Sequence, residues 1–455
     1  MPVRDLALTV LVFGLLPVCL ARPWLGLVVW FWLSLMNPHR LVWGFAYHLP
    51  FAQVVAVVTL AGVLFAKDRG PFLWTRETIL LLALWVWFGV TTSVATFPDA
   101  AWAQLVRTSK VFLMTLLVVV FFQDRARLRV LLLTVAGSIG FFGLKGGLWA
   151  IATGGNYSVL GPGEDTSVST NNAIGLALNM CLPLFFYLAR EERRRWTRGL
   201  LYACFFTSIV AVPFTYSRGA VVGLVVVLSM LLLNRHNIHY AAVAVILFGV
   251  LAFNFAPEKW TERMHTIWDY QGDSSANARL VSWGVASRLA ADHPLTGGGF
   301  WSIANLDTFR RYAPEYAKTG FHDAHSIYFG LLGEHGFPGL AVFAAFAACT
   351  IASLRRVQRR ARNVERLHWA ANYAWMLQSS IVGYLATGTF MSVAYFDLAY
   401  LLFIVSVLLR VLVDRDVEAH EAAERSATST TASTRALPRF AWMPLGPHVR
   451  GWQPR

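Results

Sequence analysis

The feature that most constrains this chain is a succession of long apolar runs joined by loops that alternate in charge. Eleven runs occupy residues 48–66, 78–96, 108–122, 130–152, 171–189, 199–216, 219–233, 240–256, 326–353, 368–387 and 397–413. Another apolar stretch, 6–36, is interrupted at Arg22-Pro23, so it reads either as one broken span or as a tight hairpin. A bilayer core takes about 20 helical residues per crossing, and without water to satisfy the backbone only helices or closed barrels can cross it. Counting 6–36 once, the expectation is an all-α, polytopic integral membrane protein with about 12 transmembrane helices.

Composition supports this and excludes two other classes. Only 14% of the 455 residues are charged and 56% are hydrophobic, with mean hydropathy +0.51. A soluble domain carries about 25% charged residues, and a disordered chain is still more polar. The net charge of +14, with 34 Arg among the 39 basic residues, could suggest nucleic acid, but in so apolar a chain membrane topology comes first. Loops 67–77, 123–129, 190–198, 234–239 and 355–366 are Arg-rich, and the tail carries seven Arg from Arg410 onward. Loops 154–171 and 388–396 contain no Lys or Arg. The positive-inside rule makes the first set cytoplasmic, and with twelve spans both termini lie inside. The N-terminal run has a signal-like charge and apolar core, but it continues into further apolar sequence and reads as a retained anchor. Cys19, Cys181, Cys204 and Cys349 sit inside apolar runs without metal-like spacing, so neither a disulfide framework nor a zinc site is indicated.

The expected layout has N-terminal transmembrane helices at 1–256, a large periplasmic loop subdomain at 257–324, C-terminal helices at 325–413 and a disordered cytoplasmic tail at 414–455. The loop is the exception to the charge rule, with Lys259, Arg263, Arg279, Arg288, Arg310, Arg311 and Lys318 on the outer face. Long translocated loops escape that rule. Within the loop, 277–292 places Leu280, Trp283, Ala286, Leu289 and Ala290 on one helical face, and Pro294 followed by three glycines stops the helix.

Three fragments carry chemistry. Residues 322–340 read HDAHSIYFGLLGEHGFPGL, in which His325-Ser326 is followed by nine residues, then Gly336 and Gly339. Residues 215–224 read TYSRGAVVGL, with Arg218 between Ser217 and Gly219 at the outer end of a span. Residues 278–300 contain Arg279, Trp283 and a Pro-Leu-x-Gly-x-Gly run. In their spacing and order the three resemble the motifs of the bacterial O-antigen ligase superfamily, whose signature is a His followed by Asn, Ser or Gln, nine residues and Gly-x-x-Gly. The resemblance covers roughly residues 1–410. The texture of 36–53, 144–147 and the LTGGGF run is similar to the branch of O-glycosylation ligases associated with exosortase systems. Val222 and Leu340 depart from the pattern where Leu and Thr are usual, both at packing positions.

The resemblance implies a glycan ligase of the inner membrane, moving a polysaccharide from undecaprenyl diphosphate to an acceptor hydroxyl, most simply a lipid A-core sugar, on the periplasmic face. Such a site needs cations for the diphosphate and a base for the acceptor. Arg218 and Arg279 are the first diphosphate candidates, with Arg288 and Lys145 behind them, Lys145 because a charge flanked by glycines within an apolar run suggests a cavity. His325, with an ordinary pKa near neutrality, is the candidate general base for an inverting displacement. Ser217, Gly219, Ser326, Gly336 and Gly339 support the motifs. No metal or cofactor is implied, since the leaving group is already activated. Glu334 lies nine residues beyond His325 and, counted along one helix, faces away from it, so it is set aside. Each candidate also has a plainer role: an interfacial His is commonly a satisfied polar residue, and an outer-face Arg can anchor by snorkelling. The alternatives in function are ligation onto protein or exopolysaccharide, O-antigen polymerisation and, from another class, transport of a lipid-linked glycan, which would distribute charge along the spans.

Overall fold

The computed structural model describes residues 3–163, 166–233, 239, 274–318 and 320–435. The expected span 240–256, loop residues 257–273 and the tail beyond Arg435 lie outside the described residues. Among the described residues every element is helical. The order is α1 (Val3–Ala21), α2 (Pro23–Met36), α3 (Phe51–Phe65), α4 (Arg76–Ser93), α5 (Pro98–Phe121), α6 (Arg125–Ala152) and α7 (Asn171–Glu191). There follow α8 (Arg195–Ala211), α9 (Arg218–Leu233), α10 (Ser274–Asp292), α11 (Leu306–Tyr312), α12 (Ile327–Ala361), α13 (His368–Gly388) and α14 (Asp397–Arg435). Of these, α1, α5, α6, α7 and α12 are long and apolar enough to cross a membrane, and α2, α3 and α9 are shorter apolar helices. Among the described residues the chain is all-helical, and its long apolar helices are those of a membrane protein.

Helix starts coincide with local capping chemistry. Thr75, Asp124 and Thr170 accept hydrogen bonds from backbone N–H groups three residues on, at the first turns of α4, α6 and α7. Pro23 and Pro98 stand at first helical positions, where a missing N–H costs nothing.

The interrupted N-terminal stretch takes the hairpin alternative. Phe13 packs on Phe51 and Leu20 lies beside Gly62, so α1 runs parallel to α3. Gly26 touches Thr59, and α2 returns towards His39, which packs on Phe51. Asp5 accepts a 2.9 Å bond from the Ala46 N–H, at the same end of the bundle as Tyr47 and the 154–163 loop. The Arg-rich loops gather at the other end, where Arg127 reaches Asp68 at 3.0 Å and Arg129 reaches Glu192 at 2.9 Å. The chain therefore starts at the Arg-poor end, which departs from the expectation of both termini at the Arg-rich end. One extra traverse of the bundle accounts for the difference.

Two compact units emerge, 1–412 and 413–455, and the described loop residues belong to the first. Residues 414–435, expected to be disordered, continue α14 as helix. Their Ala, Glu and Arg content favours helix, and Arg425 pairs with Glu421 one turn away. In the loop, α10 ends at Asp292 just before Pro294, as expected, but its packed face is rotated. Val285, Ala286, Leu289 and Ala290 are buried, whereas Leu280 is exposed. Ala286 and Leu289 join Ile303 and Ala324 in one small core, and with Ala278 and Ser282 also buried α10 is packed on protein along a single stripe.

Candidate functional site

The site is built on a broken helix. Within α12, Gly336 has φ 67° and ψ −172°, which separates a half-helix, 327–335, from the long segment that follows. Glycine takes this φ without steric cost, and a Cβ there would lie 2.4 Å from the Leu295 carbonyl oxygen. A break strands carbonyls that a continuous helix would satisfy. Here each finds a donor: Gly298 N–H reaches Gly333 O, Gly299 N–H reaches Glu334 O, and the Trp87 indole reaches His335 O, all at 2.9 Å. Phe337 N–H in turn reaches Pro294 O at 2.9 Å. The Pro-Leu-x-Gly-x-Gly run and the Gly-x-x-Gly run are thus two halves of one joint. Gly339 serves the same joint by close approach, since a Cβ there would lie 2.4 Å from His335 Cβ.

A cavity of about 240 Å³ opens over the half-helix. Ser326, Gly330 and Glu334 recur every fourth residue and present one face to it. Gly330 leaves open space where a side chain would stand. Ser326 is buried, and its hydroxyl has no hydrogen-bond partner. Gln104 and Arg107 of α5 form another wall, with Trp301, Asp323 and Tyr395 completing the polar lining.

Glu334 is only 8% exposed and held at both oxygens. Oε1 accepts the Trp301 N–H at 2.8 Å, and Oε2 accepts the Tyr395 hydroxyl. Tyr395 Oη also meets His335 Nε2 at 2.7 Å, and His335 Nδ1 meets Thr91 Oγ1 at 2.7 Å. The His335 ring is packed between Phe88 and Phe300, at centroid distances of 4.2 and 4.5 Å, and has no exposure.

His325 stands immediately before the half-helix in a left-handed conformation, φ 44°, with its N–H on Ser392 Oγ at 2.9 Å. It does not itself line the cavity, although Asp323 and Ser326 on either side of it do. Burial holds its pKa below the ordinary imidazole value; the Asp323 carboxylate opposes this, and the Arg279 and His322 charges reinforce it. The ring is therefore neutral at neutral pH, with Arg279 near enough to act on it. The tight turn is fixed from α10, where Trp283 donates to Ala324 O at 2.8 Å and stacks on Phe329 at 4.8 Å.

The remaining candidates divide. Arg218 opens α9, half-buried, and Ser217 caps that helix by accepting the Ala220 N–H at 3.2 Å. Gly219 lets this turn approach the 390–391 loop, a Cβ there lying 3.2 Å from Phe390 Cβ, two residues from the serine that holds His325. Arg288 instead donates to the Tyr312 carbonyl at 2.5 Å, tying α10 to α11, and does not line the cavity. Lys145 is exposed on α6 and also absent from the lining. Its flanking Gly147 serves packing, since a Cβ there would lie 2.3 Å from the Thr207 carbonyl oxygen of α8. The cavity that its glycines suggested is a helix–helix contact. Among the described residues no cluster of His, Cys, Asp or Glu could hold a metal ion.

Glu334 was visible in the sequence and set aside; it lines the cavity after all. Its signal was the four-residue recurrence from Ser326. Arg107, Gln104 and Tyr395 had no local signal, since only tertiary packing brings them to the half-helix.

These features define a helical membrane protein with a polar cavity at its Arg-poor end, walled by a broken helix and a glycine loop. Two family models match the chain: residues 203–344 match the O-Antigen ligase family, and residues 3–193 match a family of unknown function. Residues 203–344 are thus similar to the O-antigen ligase family, a likeness that points towards glycan ligation or polymerisation. No curated protein matches it.

Proposed function

We propose that the protein is a glycan ligase of the bacterial inner membrane that transfers a polysaccharide from undecaprenyl diphosphate to an acceptor hydroxyl at the periplasmic, Arg-poor end of the bundle. The observation that carries this reading is that Arg279 and His325, both in the segment similar to the O-antigen ligase family, act on one another beside a polar cavity which that segment helps to line. Arg279 and Arg218 would offset the charge that develops on the departing diphosphate, a role suited to planar guanidinium groups. A neutral His325 can accept a proton or donate a hydrogen bond there, which suits either the departing diphosphate or the attacking hydroxyl of a direct, inverting displacement. A lipid A-core sugar is the simplest acceptor; protein or exopolysaccharide acceptors of the exosortase-associated branch use the same donor chemistry.

The test is transfer by purified protein in proteoliposomes holding an undecaprenyl-diphosphate glycan. Lipid A-core, a second donor glycan and a Ser/Thr-rich protein are offered in separate reactions. Transfer to lipid A-core, lost by about 100-fold or more in Arg279→Ala, is the expected result. Extension of the second glycan would make the protein a polymerase. Donor headgroups crossing the bilayer without transfer to any acceptor would make it a transporter and overturn the reading.

A further inference from the structure

We infer that Glu334 takes the proton of the acceptor hydroxyl, with the acceptor seated over Gly330 and His325 kept on the diphosphate side with Arg279. The inference rests on the transferase reading above and assigns the two sides of its site.

Two observations support this seat. On the cavity-facing side of the half-helix, the unpartnered Ser326 hydroxyl and the Glu334 carboxylate stand one turn either side of Gly330, where there is open space. A buried hydroxyl without a partner is costly unless a ligand completes it. A sugar hydroxyl lying over Gly330 would complete Ser326 and place its proton towards Glu334.

The chain behind Glu334 suits a group that gains and loses a proton. With the carboxylate ionised, Tyr395 O–H donates to Oε2, His335 Nε2–H donates to Tyr395 Oη, and Thr91 O–H donates to Nδ1. With Glu334 protonated, its O–H donates to Tyr395 Oη, Tyr395 O–H to Nε2, and His335 Nδ1–H to Thr91 Oγ1, whose own proton turns to Phe88 O at 3.2 Å. Both settings are complete, each with its own His335 tautomer. Either protonation state of Glu334 can therefore be held without stranding a buried donor or acceptor, the change between them being accompanied by movement of the His335 ring proton between Nε2 and Nδ1. Tyr395 and His335 are positioning residues in this scheme.

In the step itself the acceptor oxygen forms its bond to the anomeric carbon as the sugar–phosphate bond breaks. The electron pair of that bond leaves with the lipid diphosphate, and the acceptor proton passes to Glu334. The proton then returns to water through the cavity.

The experiment measures single-turnover transfer in the same proteoliposomes, across pH, alongside donor binding and the folded fraction. Charged or titratable groups facing Glu334 are Asp323 from the loop before α12, Arg107 from α5, Tyr395 from the loop before α14 and His335. Expected for Glu334→Gln is a loss of kcat of about 100-fold or more, with donor affinity unchanged and the acid limb of the profile abolished. His325→Ala should instead weaken donor binding. Tyr395→Phe should lower kcat with acceptor KM little changed. Gly330→Leu, which fills the seat, should raise acceptor KM and leave donor binding intact. Glu334→Gln turning over within about threefold of the unmodified protein, or losing donor binding in parallel, would overturn the inference. If Glu334→Gln does not fold, an unchanged acceptor KM in Gly330→Leu overturns it instead. Absence of transfer by the unmodified protein marks failure of the underlying reading.

Discussion

Glu77 and Glu334 are both buried carboxylates on apolar helices, and their partners differ. Glu77, 1% exposed, faces Arg410 Nη2 at 3.1 Å and accepts Ser353 Oγ at 2.5 Å, while Arg410 also donates to Ser353 at 3.3 Å. Charge meets charge, and the triad is closed among α4, α12 and α14. Glu334 accepts from neutral donors, the Trp301 N–H and the Tyr395 hydroxyl, and one side of it opens on a cavity beside an unpartnered hydroxyl. A closed polar cluster locks helices together. An open one keeps part of its bonding capacity for something that arrives.

That contrast can be broken by substitution. Glu77→Ala leaves Arg410 buried without its carboxylate, and we expect a loss of about 3–5 kcal/mol in unfolding free energy with transfer per folded molecule unchanged. Reduced transfer at full stability would erase the distinction. Gly336→Ala acts at the joint rather than the triad. It forces a side chain into the left-handed region against the Leu295 carbonyl, so it should cost about 1–3 kcal/mol and also reduce transfer by displacing Glu334; unfolding and transfer assays on one preparation check both. Arg288→Ala removes an exposed tie to Tyr312 and should change stability by about 1 kcal/mol or less, with transfer retained. If transfer collapsed, Arg288 would return to the site.

The smallest effect is a pH shift. Because His325 is held below the ordinary imidazole value, its neutral form persists as pH falls through that value, and any step needing the neutral ring persists with it. The sign for stability is opposite: the unfolded chain binds the proton first, so this residue's contribution is unaffected at high pH and turns unfavourable as pH drops through the ordinary imidazole range. Asp323→Asn removes the opposing carboxylate and should move the acid limb governed by His325 to lower pH, read from the donor-binding profile.

The helical architecture was legible because bilayer-length apolar runs and Arg-rich loops are local signals: the expected runs are helical wherever residues are described, and five of the helices are long and apolar enough to cross a membrane. The break at Arg22-Pro23 left two outcomes open because only α3, further along the chain, selects the hairpin. Leu280 was misplaced because the buried stripe of α10 runs through Ala278, Ser282, Val285, Ala286 and Leu289, and Leu280 lies off it. Glu334 was misread for a sharper reason. The count began at His325 as though it were helical, but His325 is left-handed and Ser326 is extended, so the helix starts only at Ile327 and the nine residues from His325 do not measure a helical angle. Ser326, Gly330 and Glu334, four residues apart, share the cavity face. Lys145 misled because glycines beside a charge can serve a neighbouring helix as well as a cavity.

One consequence follows from the cavity walls. Gln104, Arg107 and Ser167 come from the segment matching a family of unknown function, Trp301 and Glu334 from the ligase segment, and Tyr395 from beyond both. The seat is therefore shared property across the chain. In a chimera that exchanges residues 3–193 for those of a relative, the wall made by Gln104, Arg107 and Ser167 is replaced while the residues of the three motif fragments between 215 and 340 stay in place. Substrate choice would then follow the donor of the N-terminal half, and the two segments would have to evolve as a matched pair.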